Sequence, residues 1–314
     1  MRNLLDLKNI NYKALIKYFF FNEGIWMSEK TQVNDLKYFI SRFRDNYIHV
    51  ELERIGNKNN DGGYLVPKKL LNSIKYCFSP GTAYDASFES DLSKNYNIKS
   101  FMADASVKGP PTIDKNFNFI KKFLSSSTED KIIYKDTNLN YNIKKDEQLR
   151  KKRERKKGGG TDNCVSYITL SQWIKNYSKE FKLSDNNMVL QMDIESSEYE
   201  VLTYETSRIL AKFSIMVIEF HSLNNIFERY FFVMLKAIFE KIYNNFFICH
   251  AHPNNNAGIS NINGVEVPNT LEITFIRKDF AQKLKLKTPK QIPNLLDKKN
   301  NKDMPDIVLP ANWY

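Results

Sequence analysis

Met188 to Glu200 reads Met-Val-Leu-Gln-Met-Asp-Ile-Glu-Ser-Ser-Glu-Tyr-Glu, an apolar run that turns abruptly acidic. The run is too short for a buried helix and rich in β-formers, so it predicts a central parallel strand with both faces covered. Ligands of open α/β sheets bind beyond the carboxyl ends of the strands, which makes Asp193 and Glu195 site candidates by position alone. A second reading of the same acids stays open. Ser196, Ser197, Glu198 and Glu200 also suit the first turn of a helix, where carboxylates complement the dipole.

Around this stretch the composition is that of a globular α/β protein. The chain has 314 residues, 42% hydrophobic and 13% aromatic, enough for one large core or two ordinary ones. The longest apolar segment, Ala14 to Met27, is broken by Lys17, Asn22 and Glu23 and lacks a small-residue cleavage pattern. Neither a membrane span nor secretion is therefore expected. Cys77, Cys164 and Cys249 are isolated and odd in number, which argues against a disulfide framework or a paired-cysteine metal site and for a reducing cytoplasm. The net charge of +11 is concentrated: Arg150 to Lys157 carries seven basic residues and one acid, +6 of the total. Followed by Gly158 to Gly160, it reads as a solvated, mobile insertion spanning about 144–162. With no aromatic interleaved, nucleic acid is not the expected partner.

In chain order, residues 1–50 form a helical N-terminal extension, with apolar stripes at Leu15, Ile16, Phe19 and Phe20 and at Leu36, Phe39, Ile40 and Phe43. Asp61-Gly62-Gly63-Tyr64 is either a tight turn or a point of close backbone approach to a ligand. A strand (Ile74 to Phe78), a loop (Ser79-Pro80-Gly81-Thr82-Ala83-Tyr84-Asp85) and a helix (Phe88 to Tyr96) then follow in the layout of a nucleotide site. The strand Ile98 to Ala103 ends in Asp104, about 20 residues past the glycine turn, where an acid can bond ribose hydroxyls. Lys131 to Tyr134 reads as the third strand, ending at Asp136. Ser171 is the expected cap of the helix leading to Met188. Ile215 to Ile218 ends in Glu219-Phe220-His221, Phe246 to His250 continues into Ala251-His252-Pro253-Asn254, and Leu271 to Arg277 closes the sheet. Three of the four histidines, His221, His250 and His252, thus fall at or just after strand ends, where a base near neutral pKa could serve transfer to a hydroxyl. Residues 281–314, with Pro289, Pro293, Pro305 and Pro310, suggest an extended tail packed on the 51–280 domain.

These motifs carry a resemblance. Asp61-Gly62-Gly63-Tyr64, Phe78-Ser79-Pro80-Gly81, Asp104-Ala105-Ser106-Val107 with Gly109-Pro110-Pro111, Gln191-Met192-Asp193-Ile194-Glu195, Ile218-Glu219-Phe220-His221 and His252-Pro253-Asn254-Asn255 resemble FkbM-type S-adenosylmethionine-dependent methyltransferases, in the subgroup found among bacterial polysaccharide-modification genes. The stretch after the central strand departs from the pattern: Glu-Gly-Ala-Glu of the family is Glu195-Ser196-Ser197-Glu198 here.

The resemblance implies a Rossmann-like, seven-stranded class I methyltransferase sheet, mostly parallel and flanked by helices. It implies S-adenosylmethionine bound along Ser79, Pro80, Gly81, Asp85, Phe88, Asp104, Ala105, Ser106, Asp136 and Asp193, with Asp104 on the ribose, Ser106 and Asp136 near the adenine and Asp193 beside the sulfonium. The expected reaction is O-methylation of a sugar, glycan or related hydroxyl, with His221, His252, Asp193 and Glu219 as catalytic candidates. A divalent ion, magnesium or manganese, on Asp193, Glu195, Glu219 and His221 is a second way to activate the hydroxyl, less favoured than a metal-free base. The competing function is an inactive Rossmann-like module that binds an anionic glycan or nucleic acid through Arg150 to Lys157.

Overall fold

The computed structural model describes residues 12–23, 27–128, 130–132, 164–184, 186–285 and 292–314. Seven strands form the central sheet: β1 (Tyr76–Pro80), β2 (Lys99–Ala103), β3 (Phe117–Ile120), β4 (Met188–Met192), β5 (Ile215–Phe220), β6 (Phe246–Pro253) and β7 (Leu271–Arg277). Their spatial order is β3-β2-β1-β4-β5-β7-β6. β1 to β5 run parallel, and β7 is antiparallel to both of its neighbours. This is the mostly parallel, helix-flanked α/β sheet that the resemblance implied, with the run from Met188 as the central strand. Its order reverses between β1 and β4, and the crevice at such a reversal is where open α/β sheets bind ligands.

The strand residues dictate this burial. Every residue of β4 and β5 is buried, so both faces must be covered. Alternate side chains feed different cores: Cys77, Val189, Ile215 and Val217 pack with Leu92 and Ile98, whereas Phe78, Leu190, Met192 and Met216 pack with Trp173 and Phe213. The helix Val33–Asp45 buries Leu36, Phe39, Ile40 and Phe43, the stripe its periodicity predicted. In the helix Tyr12–Asn22, by contrast, Ile16 and Phe19 are exposed. No helix among the described residues is long and apolar enough to cross a membrane.

Two local expectations are corrected. The third sheet strand is Phe117–Ile120, while Asp130–Ile132 pairs antiparallel with Cys164–Ile168 in a separate small sheet. Asp136, expected beside the adenine, and the basic run Arg150 to Lys157 lie outside the described residues. The helix Leu170–Ser178 is capped by Thr169, whose Oγ1 accepts from Gln172 N at 3.1 Å; Ser171 lies inside the first turn.

After the helix Lys278–Leu284, residues 292–314 cross the C-terminal side of the sheet without joining it. The next-to-last residue, Trp313, is fully buried, packs edge-on against Phe43 at 5.0 Å and Phe39 at 6.4 Å, and donates from Nε1 to Glu266 O. The tail and the helix Val33–Asp45 therefore share one aromatic core. Phe43→Ala should remove about 3–5 kcal/mol of stability. The urea midpoint is expected to fall with an unchanged slope.

Candidate active site

At the reversal point the chain turns at Gly81 with φ +88°, and a Cβ there would stand 1.7 Å from Asp193 O. Only glycine allows the end of β1 to lie against the backbone leaving β4. The loop that follows is tied to β2. Asp104, buried at the end of that strand, accepts from Ala83 N at 2.7 Å through Oδ2 and from Ser106 N and Oγ at 2.7 and 2.6 Å through Oδ1. Gly81, Asp104, Ala105 and Ser106 thus surround one edge of the crevice, and Asp193 closes it.

Other residues expected at the cofactor point elsewhere. Phe88 is buried and meets Tyr64 edge-on at 5.6 Å, so its ring belongs to the core. The Ser79 hydroxyl turns inward to Gln191 and Glu89. Asp85 is exposed and accepts from Ser87 N, closing its own loop. Its Oδ2 also crowds Gly62, so the Asp61-Gly62-Gly63 turn approaches the protein's own loop at that point.

Beside Asp193 opens a cavity of about 280 Å³ lined by Asp61, Asp193, Glu195, Glu219, His221, Asn254, Asn256, Ala257 and Thr270. Four of these are carboxylates; His221 is the basic one. Its Nε2 lies 3.5 Å from Asp193 Oδ1 and 3.8 Å from Glu195 Oε2 and Glu219 Oε1. Its Nδ1 stands 3.4 Å from Glu198 Oε1, and that oxygen also accepts from His221 N at 2.7 Å. Tyr199 OH donates to His221 O, so the helix Glu198–Tyr204 clamps the residue at both backbone groups.

This environment alters the protonation expected from sequence. Burial alone would depress the His221 pKa, but the carboxylate of Glu198, then Asp193 and Glu195, outweigh it and raise it to about 9. An imidazole held protonated cannot accept a hydroxyl proton at neutral pH. Burial, helped by Glu195 and Asp61 and opposed by His221, pushes Asp193 up to about 6. Burial, with Asp193 and Glu272 close by, holds Glu219 well above the usual carboxylate range, and its Oε1 accepts from Asn254 Nδ2 at 2.8 Å. Asp193 is thus the lining group best matched to proton acceptance near neutrality.

His252 does not join the cavity. β6 runs on to Pro253, so His252, next to last in the strand, is paired with Glu272 and buried beneath the tail, 3.7 Å from Asp306. Burial lowers its pKa. His250 is likewise internal and holds the tail through Asp297 at 2.8 Å. What the sequence did not single out is the tail's own entry: Asn300 Nδ2 bridges Asp61 and Glu272.

No family model and no curated protein matches this chain. Among solved structures, a candidate caffeoyl-CoA O-methyltransferase from Staphylococcus aureus is 11% identical over 86% of this chain and 93% of that one, with a TM-score of 0.23. A likeness that slight carries no argument. The fold rests on strand order and the site on its own geometry.

Gly81→Ala should cost at least about 2 kcal/mol, since left-handed strain and a backbone clash coincide. Ser196, at φ +78° where the resemblance has glycine, should behave oppositely. Ser196→Gly should gain about 1 kcal/mol in urea melts by removing left-handed strain. For Glu272, burial raises the pKa to about 8. Stability linked to that carboxyl is full below its unfolded pKa of about 4.3 and is lost as pH rises through the folded value. Glu272→Gln should flatten the fall in urea midpoint between pH 5 and 8.

Proposed function

We propose that this chain is an S-adenosylmethionine-dependent methyltransferase acting on a hydroxyl of a sugar, glycan or related metabolite, in the FkbM manner. The observation that carries the reading is the joint at Gly81 and Asp193: a turn that admits no side chain, at the sheet's reversal point, flanked by the acid Asp104 and opening on a carboxylate-lined cavity. These residues fit the cofactor chemically. Asp104, which already accepts three hydrogen bonds, keeps one lone pair on Oδ2 for a ribose hydroxyl, and Asp193 and its neighbours offer negative charge to a sulfonium.

When bound, S-adenosylmethionine supplies a methyl group already activated by its positive sulfur. The protein's task is then alignment and proton removal. Asp193 accepts the hydroxyl proton, in place of the histidines expected for that role. His221, protonated and clamped by Glu198 and Tyr199, holds the Asp193 carboxylate toward the cavity. Asn254 and Asn256 supply neutral polar groups suited to neighbouring hydroxyls of an acceptor.

A divalent ion is the second reading, because one ligand atom each from Asp193, Glu219 and His221 lie within 4.8 Å of one another. We keep the metal-free account, since His221, held protonated by Glu198 and Asp193, has no lone pair to offer a cation.

Calorimetric titration of metal-free protein with S-adenosylmethionine and S-adenosylhomocysteine should give saturable binding near micromolar, about −8 kcal/mol. Asp104→Ala should weaken both at least tenfold, and Asp193→Asn should leave binding of S-adenosylhomocysteine, which has no sulfonium, within about threefold while slowing transfer by about 10²–10⁴-fold, the scale of general-base removal. Absence of binding by folded protein would remove the methyltransferase reading. Binding that appears only with added magnesium or manganese would favour the second.

A further inference from the structure

One buried polar run, from Glu89 to Tyr64, takes no direct part in the reaction proposed above but ends on Asp193. Glu89, on the helix Ser87–Tyr96 and 2% exposed, meets the hydroxyl of Ser79. Ser79 Oγ lies 2.7 Å from Gln191 Oε1 in the neighbouring strand. Gln191 Nε2 lies 3.3 Å from Tyr64 OH, and Tyr64 OH lies 3.4 Å from Asp193 Oδ2. Ser79, Gln191 and Tyr64 are all buried. A continuous path of side chains thus joins a carboxyl in the core to the carboxyl that faces the cavity.

Counting hydrogens decides how such a path works. Four links need four hydrogens, one each. The tyrosine and the serine supply one apiece, and the amide supplies one, because its oxygen must face the other side. The fourth has to come from one of the two end carboxyls. With Glu89 protonated, every group donates in the same direction: Glu89 to Ser79, Ser79 to Gln191 Oε1, Gln191 Nε2 to Tyr64, Tyr64 to Asp193. With Asp193 protonated instead, the amide turns over and every arrow reverses. An unfilled link would leave a buried polar group unsatisfied, which is the costly outcome.

We propose that Glu89 is a positioning residue for Asp193: by donating its proton into the run it aims Tyr64 at Asp193 Oδ2, and so holds that carboxylate ionised and ready to accept the acceptor's proton. Proton balance is kept. The proton that Asp193 takes from the acceptor leaves to water through the cavity, to which its side chain is 28% exposed, while Glu89 keeps its own. Burial, which pushes Glu89 up to about 7, agrees with a proton resident there near neutrality. The other titratable groups facing the two ends are Asp85 and Cys77 around Glu89, and His221, Glu195, Glu219 and Asp61 around Asp193.

The proposal deepens the assignment of Asp193 as proton acceptor, but its test needs neither acceptor nor turnover. In full-length protein with carbon-13-labelled aspartate and glutamate side chains, the Asp193 carboxyl is followed by NMR against pH in wild type, Glu89→Gln, Glu89→Ala and Ser79→Ala. Glutamine keeps a donor at the head of the run, so Glu89→Gln should leave the Asp193 midpoint within a few tenths of a unit. Glu89→Ala and Ser79→Ala free the amide to turn, and should raise the midpoint by about one unit, a tenfold loss of preference for the ionised form. Ser79→Ala removes a single hydroxyl, so the test survives if Glu89→Ala does not fold. An Asp193 midpoint unmoved in folded Ser79→Ala protein would overturn the proposal, as would an equal shift in Glu89→Gln. Titration of the same samples with S-adenosylhomocysteine separates the two claims: failure to bind removes the cofactor reading and leaves the linkage between Glu89 and Asp193 standing or falling on the NMR alone.

Discussion

At the middle of the sheet two backbone segments meet with no space between them for a methyl group. Gly81 and the carbonyl of Asp193 make that contact, and much of the site follows from it. Because β1 and β4 are adjacent and parallel, they end at the same edge, and the chain leaves each in a different direction. The departing loops bring Asp104 to one side of the crevice and Asp193, with the cavity behind it, to the other. A side chain on Gly81 would push apart the two halves that a cofactor and an acceptor would have to share.

The second organising feature is a row of titratable side chains across the carboxyl edge of the sheet. His252 and Glu272 are cross-strand partners, Glu272 and Glu219 are the next pair, and Asp193 follows at the end of β4. Burying so many carboxyls costs stability unless protons or hydrogen bonds compensate. The molecule uses both. Asn254 serves Glu219, Asn300 serves Glu272, and His221 takes a proton among Asp193, Glu195 and Glu198. The tail belongs to this arrangement, since it delivers Asn300 and is held by His250 through Asp297. Its penultimate residue, Trp313, reaches the aromatic core of the helix Val33–Asp45, so the tail and that helix are packed together.

Much of this was legible in the residues. The acid-ending run at Met188 was a central strand, Asp104 did end the second strand, and the stripe of Leu36, Phe39, Ile40 and Phe43 was core. The failures have physical reasons. Lys131 to Tyr134 has the apolar density of a sheet strand, whereas Phe117–Ile120 is a half-buried edge with a polar asparagine; local pattern does not say which sheet a strand joins. His252 was read as lying past a strand end because β6 runs on to Pro253, after a register shift between Ile248 and His250 that no periodicity signals. His221 does follow the end of β5, but its protonation was not legible, since it depends on Glu198 and Asp193 approaching from other elements. Gln191 was a visible anomaly, a polar residue inside a buried strand, yet its partner Glu89 lies on a helix over a hundred residues away and only the fold joins them through Ser79.

The central claim is that one crevice, at the joint of Gly81 and Asp193, holds both the methyl donor and the acceptor hydroxyl. A crystal structure of the protein with S-adenosylhomocysteine tests it most directly. The account predicts ribose hydroxyls on Asp104, the thioether sulfur beside Asp193 and the cavity of Asp61, Glu219 and His221 left open in line with it. A ligand bound away from Asp104, or one that fills that cavity with its own adenine, would contradict the account.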